Sequence, residues 1–119
     1  MLAELDSKID SWRANLERKG LAELNARINS WAWFLEECDE NPVTCKQNYA
    51  GDVYARTYLK LLFDLLADRS EIESGQRRTN ALDARLRQHF AVGDFVWDES
   101  VRKAFPADEF WFLHGLPDF

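Results

Sequence analysis

Apolar residues in the first third of the chain recur at alternating spacings of three and four. Leu2, Leu5, Ile9, Trp12 and Leu16 form one such series, and Leu21, Leu24, Ile28, Trp31 and Leu35 form another. Each is the apolar stripe of an amphipathic helix. The two series belong to a repeat. Residues 2–17, LAELDSKIDSWRANLE, and residues 21–36, LAELNARINSWAWFLE, are offset by 19 positions; they are identical at nine of sixteen and differ at three more only by Asp/Asn or Lys/Arg exchange. Average composition gives about one identity by chance, so the pattern predicts a duplicated helix. In one unbroken helix, 19 residues at about 100° each would turn the second stripe by about 100° from the first. Gly20, preceded by Arg18 and Lys19, suits a helix C-terminus. The expectation is a helical hairpin closed at Gly20, with Leu5, Ile9, Trp12 and Leu16 facing Leu24, Ile28, Trp31 and Leu35. One long kinked helix is the alternative.

A loop is predicted over 38–44, with Asn41-Pro42 as its turn signal. Thr44 with Gln47 resembles a capping box, and Asp52 after Gly51 is a second candidate start. From Val53 to Arg69 the pattern is apolar on more than one side, through Tyr54, Tyr58, Leu59, Leu61, Leu62, Phe63, Leu65 and Leu66. Such a helix is expected at the buried centre of a bundle. Ser70 with Glu73 can cap the next helix, Gly75 weakens a long helix there, and Thr79 or Asn80 restarts one to about Phe90. Phe95, Val96 and Trp97 are too few for a strand. Asp98 and Asp108 can each cap a short helix, stopped by Pro106 and by Gly115. No alternating run predicts a sheet. The fold class expected is all-α: one domain, 1–119, a small helical bundle with an N-terminal hairpin formed by an internal 19-residue duplication.

Composition bounds what such a bundle can do. Its 119 residues, 46% hydrophobic and 13% aromatic, suffice for a dense core in one domain. A formal charge of −6 opposes phosphate binding, so no nucleic-acid partner is expected. The start, MLAELDSKIDSW, has acids where a secretory signal needs a basic start and an apolar run. No stretch approaches the roughly 20 apolar residues of a membrane span. These features point to the cytoplasm and away from membranes, with Cys38 and Cys45 as unlinked thiols. A disulfide closing the Asn-Pro loop, and a zinc site using His89 and His114, are the alternatives placed below it. No metal or cofactor is expected.

Four groups are candidates for function. Glu36, Glu37, Asp39 and Glu40 surround Cys38 and could meet basic residues of a partner, or could be a solvated helix end. Trp33 lies nearly opposite the Leu21–Leu35 stripe, where the first repeat has Ala14. Filling a gap in a sandwiched helix is the plainer account of it, and an exposed interface residue the sharper one. Phe110, Trp111, Phe112, Leu113, Leu116 and Phe119 cannot all lie on one face of a short helix, so some form a lid over the bundle or meet a partner. Arg77, Arg78, Arg85, Arg87 and His89 could form an anion site, although the polar face of a helix explains them as well. Phosphate-loop, nucleophile-elbow, zinc-protease and di-iron signatures are absent. The expectation is a non-enzymatic protein-binding module acting through an acidic, aromatic-rich surface on a partner with a basic surface. The alternatives are a small-molecule-binding or enzymatic bundle using the Arg/His group, and a self-associating homo-oligomer.

Overall fold

The computed structural model describes the backbone of residues 2–119 and the side chains of residues 11, 14, 15 and 18–119. Helix α1 spans Leu2–Glu40 and helix α2 spans Pro42–Leu65. A 3-10 turn at Ser70–Ile72 leads into α3, Glu73–Arg87. Strand β1, Phe90–Phe95, and strand β2, His114–Pro117, then enclose two further 3-10 turns at Glu99–Ala104 and Trp111–Leu113. The protein is mostly helical, with one small antiparallel sheet.

An N-terminal helical hairpin is present, but its corner is Asn41 rather than Gly20 and its arms are α1 and α2. The Asn41 carbonyl accepts the Cys45 N–H at 3.0 Å, and its own N–H donates to the Glu37 carbonyl at 2.7 Å. Pro42 opens α2, where a missing N–H costs nothing. The helix expected from Thr44 or Asp52 therefore starts earlier and carries Gly51 inside it. Gly20 sits within an unbroken α1 because one interior glycine costs only about 1 kcal/mol. Tertiary packing offsets that cost. A β-carbon at Gly20 would meet Leu62 at 3.4 Å and Leu66 at 3.5 Å, so the missing side chain lets the end of α2 lie close. Because α1 runs unbroken through Gly20, Leu5, Ile9, Trp12 and Leu16 share one helix with Leu24, Ile28, Trp31 and Leu35 and cannot face them as expected; the side chains of those first four lie outside the described ones.

Cys38 and Cys45 are joined by a disulfide across this corner, with Cα atoms 4.9 Å apart. Both are buried. This overturns the expectation of free thiols and removes both cysteines as zinc ligands. The helix corner brings together two positions that the sequence spacing alone left apart. The inference of a reducing cytoplasm, which rested on free thiols, loses that support.

Helix α3 crosses the inner side of the hairpin. Gly75 makes this approach, since a β-carbon there would come within 3.0 Å of Ile28 and 3.3 Å of Leu24. The core beneath it holds Leu24, Ile28, Trp31, Phe34 and Leu35 from α1 with Tyr49, Val53, Leu59 and Leu62 from α2. A buried polar hub ties the three helices. The Arg56 guanidinium donates to both Asp83 carboxylate oxygens, at 2.9–3.1 Å, and Trp31 Nε1 donates to the same carboxylate at 3.2 Å. Phe112 lies under the guanidinium, 4.6 Å from ring centre to Cζ. The Tyr49 hydroxyl donates to the Phe112 carbonyl at 2.5 Å, and burial pushes its pKa far above the ordinary 10.0.

The C-terminal region departs most from the all-helical expectation. β1 and β2 pair in register from Phe90 opposite Pro117 to Val92 opposite Gly115, with an irregularity before Phe95 opposite His114. A β-carbon at Gly115 would collide with the Ala91 carbonyl, so only glycine permits this pairing. The short helix capped by Asp98 forms as a 3-10 turn, with the Asp98 carboxylate accepting the Ser100 N–H at 2.8 Å. The helix expected from Asp108 shrinks to Trp111–Leu113, because the residues before it form a separate turn in which the Phe110 N–H donates to the Pro106 carbonyl at 2.9 Å.

Candidate functional site

The periodicity of α2 predicts burial all round. Instead one of its apolar sides faces solvent. Tyr54 is 61% exposed, Tyr58 42%, Leu61 51% and Leu65 53%. Spacings of four, three and four hold these residues within about 60° on the helix. Beside them, α1 presents a matching outer row: Ala22, Ala26, Asn29, Ser30 and Trp33, all exposed. Trp33 is 69% exposed. It therefore does not fill a gap between helices, and the plainer account of it fails. The two rows run antiparallel, and Arg27 between them places its guanidinium 4.7 Å from the Tyr58 ring centre. Small side chains on α1 flank the large ones on α2 along this outer face, which is hollowed at its Trp33 end into a groove.

A recess there is lined by Arg27, Asn29, Ser30, Trp33, Phe34, Gly51, Asp52, Tyr54 and Ala55, with a volume of about 520 Å³. Gly51 forms part of its floor, and a β-carbon added there meets nothing within 4 Å. Tyr54 is held in place from behind. Its ring stacks on Trp97 at 4.3 Å, and Trp97 is anchored by donating from Nε1 to the Ala50 carbonyl at 2.8 Å. A fixed aromatic of this kind loses little entropy when it is covered.

The same end is acidic. Glu37 and Glu40 follow Trp33 on α1 at spacings of four and three, so they extend its stripe past the recess. Asp52 sits opposite on α2. Partial burial, and then the neighbouring Glu37 carboxylate, hold the Asp52 pKa above its ordinary 3.8. Among the described residues, no ion pair forms at Glu37, Glu40 or Asp52. Arg27, the cation that lines the recess, is paired with Glu23 instead.

The remaining sequence candidates are dispersed. Asp39 points away from Trp33 and pairs with Arg85 of α3, so one acidic candidate and one basic candidate neutralise each other. Arg87 lies over the Trp111 ring at 4.1 Å. Trp111 also meets Phe90 edge-on at 5.3 Å, and Phe119 stacks on His89 at 4.6 Å. Trp111 and Phe119 are thus half-buried parts of the C-terminal packing. Arg77 and Arg78 are exposed near the start of α3, a helix away in sequence from His89. The structure brings Trp33, Glu37 and Glu40 onto one stripe and does not gather the Arg/His group. Sequence reasoning missed Tyr54, Tyr58, Leu61, Leu65 and Asp52. The signal is present as the second apolar side of α2, which reads in the sequence as core.

Among the described residues, no three His, Cys, Asp or Glu side chains are grouped as metal ligands. No helix among them is long and apolar enough to cross a membrane. Comparison of the chain with protein-family models, curated proteins and solved structures finds no match.

Proposed function

We propose that this protein is a non-enzymatic protein-binding module, of the kind that serves as an inhibitor, immunity protein, adaptor or assembly factor. Its binding surface is the outer groove of α1 and α2. The observation that carries this reading is Trp33, a large apolar side chain 69% exposed beside a fixed Tyr54 and unanswered carboxylates. Trp and Tyr dominate interface hot spots, and uncompensated charge steers a partner of opposite sign. The negative net charge supports a basic partner surface. The repeat of residues 2–17 in 21–36 is read as a duplicated helix segment, lengthening α1 beyond the end of α2.

Co-purification tests this. A basic protein retained by the wild-type chain should be lost from a Trp33→Ala, Tyr54→Ala variant of unchanged circular dichroism. Retention by the variant would refute the reading. A second reading, a small-molecule site, draws on a separate recess of about 290 Å³ lined by Arg87, Phe90, Val92, Ala107, Trp111 and His114. That recess is at the small end of ligand pockets. It takes precedence if Arg87→Ala abolishes activity while Trp33→Ala, Tyr54→Ala does not.

A further inference from the structure

We infer that the groove receives an amphipathic α-helix of a protein partner, with a lysine or arginine of that helix seated between Trp33, Tyr54, Glu37 and Asp52. The inference rests on the protein-binding reading above and specifies the partner. Three observations carry it.

The first concerns hydrogen bonding. Both walls of the groove are helices, whose backbone groups are already paired along their length. An extended peptide would find no free N–H or C=O to bond with, and would leave its own backbone unanswered against an apolar surface. A helix brings its backbone already satisfied, so side chains alone need to match.

The second is shape. Leu65 lies 11 positions after Tyr54, about 16 Å along the axis. That is three turns, a length that a helix of four or five turns covers with apolar residues at i, i+4, i+7 and i+11. The row is exposed along its length and open to a third helix, with the small Ala22 and Ala26 among the exposed residues of α1. Covering it completes a three-helix layer from two helices that already pack together.

The third is charge. Trp33 and Tyr54 line the recess together with Asp52, Glu37 lies near Asp52, and no described cation pairs with those carboxylates. A guanidinium or ammonium over an aromatic face and beside two carboxylates gains both cation–π and ionic contact. Arg27 does not supply it, since it lies over Tyr58 and pairs with Glu23 at 3.4 Å.

The test uses the purified disulfide-intact chain and a display library of random 18-residue peptides. Enriched peptides are then synthesised and measured against wild type, Trp33→Ala and Gly51→Arg. The last variant places a cation and its bulk in the recess from a position with open space around it. Circular dichroism and melting confirm that both variants fold. The expected result is peptides with a helical apolar stripe and a terminal Lys or Arg. They should gain helicity on binding and lose at least tenfold in affinity to both variants. Peptides that lose affinity to both variants but stay extended would overturn the helix and leave the protein-binding face standing. Helical peptides lacking a basic residue would overturn the seated cation. Peptides that bind the variants as well as wild type would overturn the face itself. A library with no enrichment would overturn the inference. If the chain alone dimerises in sedimentation, and Gly51→Arg makes it monomeric, the occupant is a second copy and the partner helix is wrong.

Discussion

The two sides of the α1–α2 pair are made of the same residue types and end in opposite environments. On the inner side, Trp31, Ile28 and Leu24 of α1 meet Tyr49, Val53 and Leu59 of α2 beneath α3 and the C-terminal segment. The buried charges there are paired: Arg56 has Asp83, and Asp83 also takes the Trp31 N–H. On the outer side, Trp33, Tyr54, Tyr58, Leu61 and Leu65 remain exposed, and Glu37 and Asp52 face each other with no described cation. The inner side is where folding free energy comes from. The outer side exposes apolar surface that folding did not remove from water. Stability and binding should therefore respond to different residues.

The largest stability effect should follow Asp83→Ala. It strands a buried guanidinium and leaves Trp31 Nε1 without its acceptor, which should cost about 3–5 kcal/mol in urea unfolding. Replacing the pair together, Arg56→Met with Asp83→Leu, should cost much less, because no charge is left unpaired. Trp33→Ala on the outer side should change stability by less than about 0.5 kcal/mol. An equal loss for Trp33→Ala and Asp83→Ala would erase the distinction between the sides.

The disulfide is next. Cys38→Ser with Cys45→Ser opens a small loop at the helix corner, and should lower stability by about 2 kcal/mol. Thermal melts with and without reductant should show the same loss in the wild-type chain and no reductant effect in the variant.

Two glycines sharpen the comparison by sign. Gly51 lies on the outer side with open space, so Gly51→Ala should stabilise by about 0.5–1 kcal/mol through helix propensity alone. Gly75 lies on the inner side against Ile28 and Leu24, so Gly75→Ala should destabilise by about 1 kcal/mol or more. Chemical denaturation of the two variants reads the reversal directly.

The smallest effect is electrostatic. Asp52 has a raised pKa in the folded chain, so its charged form is disfavoured there relative to the unfolded chain. The penalty is absent at pH well below its ordinary 3.8 and complete once pH exceeds the folded value. Asp52→Asn should therefore stabilise slightly at pH 7. That gain should vanish as pH falls below the ordinary value, as melts across pH 3 to 7 would show.

Much of the helical content is readable from periodicity, because Leu24, Ile28, Trp31 and Leu35 recur at helical spacing and are buried along one stripe. The corner is misplaced in that reading because Gly20 has the local character of a helix end, whereas its role is close packing against Leu62 and Leu66. The Cys38–Cys45 bond ranks below free thiols on spacing alone, which does not reveal that a helix corner brings the two together. β1 and β2 are invisible in the sequence: β1 is exposed between its two end residues, Phe90 and Phe95, and shows no alternation, and its pairing depends on Gly115 far along the chain. The proposed binding face is half visible. Trp33 stands out by contrast with Ala14 of the first repeat, but the apolar excess of α2 looks like core in a sequence that does not show which elements cover it.

The most direct test of the outer groove as the binding surface is site-specific photo-crosslinking in the cell that makes the protein. A photoreactive residue replaces Leu61 on the groove in one experiment and Val92 on β1 in another. The two positions are 51% and 86% exposed, so neither substitution disturbs the core. A discrete protein adduct from position 61, absent from position 92, is the result predicted here. An adduct from position 92 alone, or none from position 61, would contradict it.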